Sequence, residues 1–304
     1  MTGPGESPRD AQARTLMGTA ARRLRDAGVP DPDRDAELLL LHVLGLDRAA
    51  LHARPERDVP AEAADRYRDL VRRRAAREPL QYLTGVQEFW SLPFRVTPAV
   101  LIPRPETEGI LEALLALPLP RGVARPRILD LGTGSGCLAI AAAHALPDAR
   151  VVATDVSAEA LAVAGGNARE LGVDDRVRFV RGDLGDALPA GEPSRFDAIL
   201  SNPPYIAEAD LAGLAPEVRD HEPRVALTPG PDGLAVHRRI LAEAAGLLEP
   251  GGWLLVEIGA GQAESIRALY DAQDRLQLES IRPDLAGTPR VVVARARAAP
   301  SRPA

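Results

Sequence analysis

RILDLGTGSG, residues 127–136, is the stretch whose reading decides the fold. An apolar run of strand length ends in three glycines spaced G-x-G-x-G, and the apolar run CLAIAAAHAL follows directly as a helix. Such a turn lets the backbone approach a ligand closely, and the helix start favours an anionic portion of it. Downstream the alternation continues through RVVATDV, an Ala-rich helix, VRFVRGD, FDAILSN, a helix near 232–249, WLLVEIG, LQLESI and RVVVARA. Strands alternating with helices at this spacing predict an α/β fold, a seven-stranded and mostly parallel sheet covered on both faces.

Working outward, residues 9–77 carry apolar residues at three- and four-residue spacing with Gly or Pro near the segment ends. The expected layout is a small N-terminal helical domain over 1–80, a hairpin connector over 81–104, the α/β domain over 105–296 and a disordered tail over 297–304. LPLPRGVARP reads as a linker, and RRRAAR as a solvated helix face whose charge nearby Asp and Glu offset.

The 304 residues hold 43 acidic and 37 basic side chains, a formal charge of −6. Every basic residue is arginine, which points to codon bias rather than site-by-site demand. The acidic balance argues against a duplex-DNA binder, so no stable nucleic-acid binding is expected. One cysteine, Cys137, excludes an intrachain disulfide and a cysteine-based zinc cluster. The start lacks a signal peptide's apolar core and no run is long enough to span a bilayer, so a cytoplasmic protein without membrane contact is expected. Histidines 42, 52, 144, 221 and 237 lack metal-ligand spacing, and no metal is expected.

A dinucleotide fingerprint requires glycine where Cys137 stands, which disfavours NAD or FAD. Strand two ends on Asp155, 19 residues past Gly136, where a carboxylate accepts hydrogen bonds from ribose hydroxyls. Strand three is expected to end on Asp183, beside an adenine edge. Together these strand ends resemble the Rossmann-like AdoMet-dependent methyltransferase fold. The alternative is that the glycines form only a tight turn and the aspartates only cap helices.

The fourth strand then delivers SNPPYI, residues 201–206, to the carboxyl edge of the sheet, where open α/β sheets bind ligands. Pro203 and Pro204 stiffen the turn, and Pro203 holds Asn202 extended. The Asn202 carboxamide oxygen and the Pro203 carbonyl can accept both hydrogens of a planar NH2 group, and Tyr205 offers a flat face to it. An amide nitrogen is a poor nucleophile because its lone pair is delocalised, so such acceptors are what it needs.

With these residues in view, the chain is similar to the release factor glutamine methyltransferase family, PrmC or HemK. The matching stretches are QYLTGVQEFWSLPFRVTPAVLIPRPETE, ILDLGTGSGCLAIAAAHALPDARVVATDVSAEAL, FDAILSNPPYI and PEVRDHEPRVALTPGPDGL. NPPY alone is shared with adenine and cytosine amino-methyltransferases; IPRPETE and EPRVAL…DGL are more specific. The resemblance implies methylation, from S-adenosyl-L-methionine (AdoMet), of the side-chain amide of the glutamine in the GGQ motif of class 1 peptide chain release factors. It implies that Asn202, Pro203, Pro204 and Tyr205 grip the glutamine, with Asn202, Pro203 and Tyr205 catalytic. Gly132, Thr133, Gly134, Ser135, Gly136, Asp155, Asp183, Leu184 and Asn202 would line the AdoMet site. Many relatives carry an aromatic residue where Leu184 stands. The helical domain would dock the release factor, and a monomer is expected. The rival readings are a DNA adenine-N6 methyltransferase, which would need a basic groove, and a non-catalytic AdoMet-binding adaptor.

Overall fold

The computed structural model describes residues 12–118, 125–188 and 195–297. The tail from 298 onward and the middle of the expected linker, 119–124, lie outside the described residues. Two compact units emerge, Met1–Gly85 with Ala215–His221, and Val86–Leu214 with Glu222–Ala304.

The first unit is helical: α1 (Ala13–Asp26), α2 (Pro32–Leu44), α3 (Arg48–Ala53), α4 (Ala61–Ala75) and α5 (Leu80–Thr84). Leu16, Ala20 and Leu24 recur every fourth residue along α1 and are buried against Leu39, Leu40, Leu51, Tyr67 and Val71. The Tyr67 hydroxyl donates to the Ala36 carbonyl at 2.9 Å, so its burial leaves no orphan donor. Residues 81–84, expected in the hairpin connector, are helical instead. Pro79 opens that turn and Gly85, at φ +78°, closes it. The hairpin itself is β1 (Val86–Phe89) and β2 (Leu92–Arg95).

Ala215–His221 joins this helical unit although the sequence groups it with the α/β domain. The cause is electrostatic: Glu217 accepts from Arg77 at 2.7 Å through both carboxylate oxygens and pairs with Arg74 at 2.9 Å. Burial works against its charge, yet bonds from Arg77, its own backbone amide and Arg74 outweigh that and hold its carboxyl down at about 2.

The second unit holds the seven-stranded sheet: β3 (Arg127–Leu131), β4 (Arg150–Asp155), β5 (Val177–Arg181), β6 (Phe196–Ser201), β7 (Leu248–Glu257), β8 (Leu276–Pro283) and β9 (Pro289–Ala296). Its order is β5-β4-β3-β6-β7-β9-β8. β3 to β7 run parallel, and β9 is antiparallel to both β7 and β8. The sheet is therefore mostly parallel, as its sequence pattern predicts. All six residues of β6 are buried, which suits a central strand with both faces covered. Consecutive side chains enter opposite layers: Ile128, Leu200 and Leu255 lie in one apolar cluster, Leu129, Ile199 and Leu254 in the other. Among the helices are α6 (Glu108–Ala116), α7 (Cys137–Ala145) and α8 (Ala158–Glu170). Among the described residues no helix is long and apolar enough to cross a membrane.

Register fixes what the sheet presents. Leu131 lies opposite Thr154 and Ser201, and Ser201 lies opposite Val256. The next residues, Asp155, Gly132, Asn202 and Glu257, therefore form one row across the carboxyl edge. Successive strands run outward from β3 to β5 on one side and from β6 to β7 on the other, so the strand order reverses between β3 and β6 and this row sits at the topological switch point where open α/β sheets bind ligands.

Candidate active site

A cavity of about 320 Å³ opens at that edge. Gly132, Thr133, Gly134, Ser135, Asp155, Asp183, Leu184, Asn202 and Pro204 line it, together with Pro103, Arg104 and Thr107 of IPRPETE. Gly136, Pro203 and Tyr205 are not among the residues that line it.

Gly132, Gly134 and Gly136 have φ of +73°, +56° and +82°, backbone that other residues adopt only at a cost. At Gly136 a Cβ would also lie 2.9 Å from Ile140 Cδ1 and 3.1 Å from Ala164 Cβ. Many of the loop's amides serve the protein itself. Gly132 and Thr133 donate to the Thr154 carbonyl at 2.9 Å, Gly134 donates to Asp155 Oδ2 at 2.9 Å, and Gly136 donates to the Thr133 carbonyl at 2.9 Å. The sequence points the loop at a ligand, and these bonds show its amides also holding the loop in shape. Asn167 of α8 adds a clamp: its Nδ2 donates to the carbonyls of Ser135 (2.9 Å) and Arg95 (3.1 Å), and its Oδ1 accepts from the Arg95 amide (2.9 Å).

Asp130, at the end of β3, is buried beneath the loop. Its Oδ2 accepts from the Thr133 hydroxyl at 2.6 Å, while Oδ1 has no partner among the described residues, nor do Ser135 Oγ and Thr154 Oγ1. Burial pushes the Asp130 carboxyl up to about 7, against the Thr133 bond. An orphaned carboxylate oxygen in a cavity wall fits a ligand with a cationic ammonium, as AdoMet has. Burial likewise pushes the Cys137 thiol up to about 12, so it stays protonated and is no nucleophile.

Asp155 ends β4, accepting from Gly134 through Oδ2 and from the Ser157 amide through Oδ1 at 2.9 Å. Each oxygen keeps a second lone pair for a hydroxyl. Asp183 lies two residues beyond the end of β5 rather than on the strand, and Arg239 donates to both its oxygens at 2.9 and 3.1 Å. Leu184 follows at φ +50° and is nearly buried in the cavity wall.

Asn202 stands one residue past β6. Its Nδ2 donates to Thr107 Oγ1 at 2.9 Å, and the Thr107 hydroxyl donates to Glu257 Oε2 at 2.6 Å. The Tyr205 hydroxyl donates to Glu257 Oε1 at 3.1 Å. Burial, then the Glu257 charge and bond, raise the Tyr205 hydroxyl well above its usual range, so it stays protonated. Burial raises the Glu257 carboxyl too, opposed by the bonds from Thr107 and Tyr205 and by Arg290.

IPRPETE and EPRVAL…DGL both reach this site. Arg104 of IPRPETE pairs with Glu222 of EPRVAL at 2.5 Å, and Glu222 also accepts from the Ile102 amide at 3.3 Å. The DGL turn backs the NPPY segment: a Cβ on Gly233, whose φ is +70°, would lie 2.3 Å from the Tyr205 carbonyl. Gln262 Nε2 donates to the carbonyls of Tyr205 (3.0 Å) and Gly233 (3.3 Å), joining both.

Residues 15–85 match the PrmC N-terminal domain and residues 111–217 the methyltransferase small domain. The release factor glutamine methyltransferase of Moorella thermoacetica is 48% identical over 281 residues, 92% of this chain and 97% of that one. The chain belongs to the release factor glutamine methyltransferase family. The member of that family from Deinococcus radiodurans is 46% identical over 284 residues, 93% of this chain and 98% of that one. The hMettl16 catalytic domain, solved in complex with MAT2A 3'UTR hairpin 6, is similar in fold alone, with a TM-score of 0.54 at 16% identity over 79% of this chain and 84% of that one. Membership of the release factor glutamine methyltransferase family makes the protein an AdoMet-dependent methyltransferase. Sequence reasoning missed four residues at this edge of the sheet: Asp130, Thr107, Glu257 and Gln262. Asp130 carried a local signal, a carboxylate immediately before the glycines. Thr107 lies in IPRPETE, a stretch the resemblance singled out, whereas Glu257 and Gln262 meet their partners only across the fold and had none.

Proposed function

We propose that the protein transfers the methyl group of AdoMet to the side-chain amide nitrogen of the glutamine in the GGQ motif of class 1 peptide chain release factors. The observation that carries this is the row Asp155, Gly132, Asn202, with the Asn202 carboxamide nitrogen engaged by Thr107 and its oxygen left to accept.

Gly132 to Gly136, Asp155, Asp183 and Leu184 would hold AdoMet, with the open oxygen of Asp130 facing its ammonium. Bound there, AdoMet supplies an electrophilic methyl group on a sulfonium. The incoming glutamine presents two N–H donors, which Asn202 Oδ1 and the Pro203 carbonyl accept. Those acceptors pull on the N–H protons and leave more electron density on nitrogen. The Tyr205 ring, fixed through its hydroxyl, packs on the same planar group. Orientation supplies much of the rate, and no strong base is needed because the transferred methyl makes the remaining proton acidic. The helical unit serves as the docking surface for the release factor, and the reaction belongs in the cytoplasm where translation ends. A single copy of the chain carries all the named site residues, in keeping with a monomer.

The test is to supply labelled AdoMet with a purified release factor or with duplex DNA. One methyl group on the GGQ glutamine is the expected result; label on DNA overturns the assignment.

A further inference from the structure

We propose that Glu257 is a positioning residue for methyl transfer, fixing through the Thr107 hydroxyl which end of the Asn202 carboxamide faces the acceptor. The proposal rests on Asn202 being the acceptor's grip and says what orients it.

A primary amide has two nearly equal ends, an oxygen that accepts and an NH2 that donates. Shape alone cannot choose between them. If Asn202 turned its NH2 toward the substrate amide, donor would face donor and the grip would be lost.

Direction comes from Glu257. An ionised carboxylate only accepts. The Thr107 hydroxyl has one hydrogen, and at 2.6 Å it is spent on Glu257 Oε2. What Thr107 Oγ1 then offers Asn202 is a lone pair, so Asn202 must bring its Nδ2, as it does at 2.9 Å. The oxygen is thereby turned to the cavity. Glu257 is suited to this because it is 1% exposed, stands beside Asn202 in the carboxyl-edge row, and does not line the cavity. Its other oxygen takes the Tyr205 hydroxyl at 3.1 Å, so one carboxylate orients two side chains of NPPY.

The chain contains two asparagines, Asn167 and Asn202, which makes the relay directly observable. Full-length protein labelled with 15N-asparagine gives two side-chain NH2 signals, and the one lost in Asn202→Ala is assigned. Thr107→Val and Glu257→Gln are each expected to shift the Asn202 signal, Thr107→Ser to restore it, and the Asn167 signal, which reports the folded glycine loop, to stay in place. In methyl transfer each of the two losses lowers kcat roughly 10- to 100-fold, with KM for AdoMet within about twofold. Because both act through Asn202, the double variant Thr107→Val/Glu257→Gln loses no more than the worse single one. An Asn202 signal unmoved in both single variants, or fully additive losses, overturns the proposal. Signals that shift as expected in a protein that methylates no release factor refute the proposed function and leave the relay standing.

Discussion

Arg104 donates to Glu222 across 2.5 Å and 118 residues of chain, so that IPRPETE and EPRVAL, two stretches that carry the resemblance, form one ion pair beside the cavity. The Glu222 side chain is 1% exposed, whereas Arg104 keeps 28%. Removing the arginine leaves a buried carboxylate supported by the Ile102 amide. Arg104→Ala should therefore cost about 3 kcal/mol in urea unfolding, the lower end for breaking a buried pair. An unchanged midpoint would contradict the role assigned to this contact.

AdoMet affinity should depend on pH through Asp130. Burial pushes its carboxyl up to about 7, so below that pH the neutral acid predominates. A cationic ammonium prefers the ionised form. Calorimetric titrations are expected to show affinity falling as pH drops from 8 to 6, approaching about tenfold per unit below 7. Asp130→Asn, neutral throughout, should bind more weakly at pH 8 with a flattened profile.

Gly233→Ala tests the support behind NPPY. The substitution forces a side chain onto φ +70° and brings Cβ to 2.3 Å from the Tyr205 carbonyl. Left-handed backbone alone costs roughly 1–2 kcal/mol. The clash falls on backbone, so Tyr205 must shift. Methyl transfer should fall more than AdoMet binding does, as single-turnover and equilibrium measurements on one preparation will show.

How much of this was legible in the sequence follows from how each contact is made. The glycine loop, Asp155 and NPPY are local: each is a strand end plus the turn chemistry after it, so a string of residues suffices. Asp183 looked like another such end, but β5 stops at Arg181, and its partner Arg239 lies 56 residues away. Thr107 and Glu257 acquire meaning only when the sheet order sets β7 beside β6. Until then Glu257 reads as the polar terminator of WLLVEIG. Ala215–His221 was assigned by sequence neighbourhood, and the Arg74, Arg77 and Glu217 cluster overrides it.

His237 should mark the acid limit of the α/β unit. Its imidazole is buried edge-on to Tyr270 at 5.9 Å, Nε2 lacks a partner among the described residues, and burial pushes the ring down to about 4. The unfolded chain takes up a proton near pH 6.5 and the folded one only near 4. Stability from this residue is thus full above 6.5 and lost as pH falls toward 4, by on the order of 3 kcal/mol. Asp130, raised by burial, works in the opposite direction, so the reading must be a difference. Relative to wild type, His237→Leu should gain stability steadily between pH 6.5 and 4; a constant gap would exclude the imidazole as the cause.

The most direct test of the central claim is methyl transfer by Asn202→Ala to a release factor, with AdoMet binding measured on the same sample. Transfer is expected to fall at least about 100-fold while AdoMet still binds, since the variant keeps the glycine loop and Asp155 but cannot orient the glutamine amide. Transfer at the wild-type rate would contradict the account.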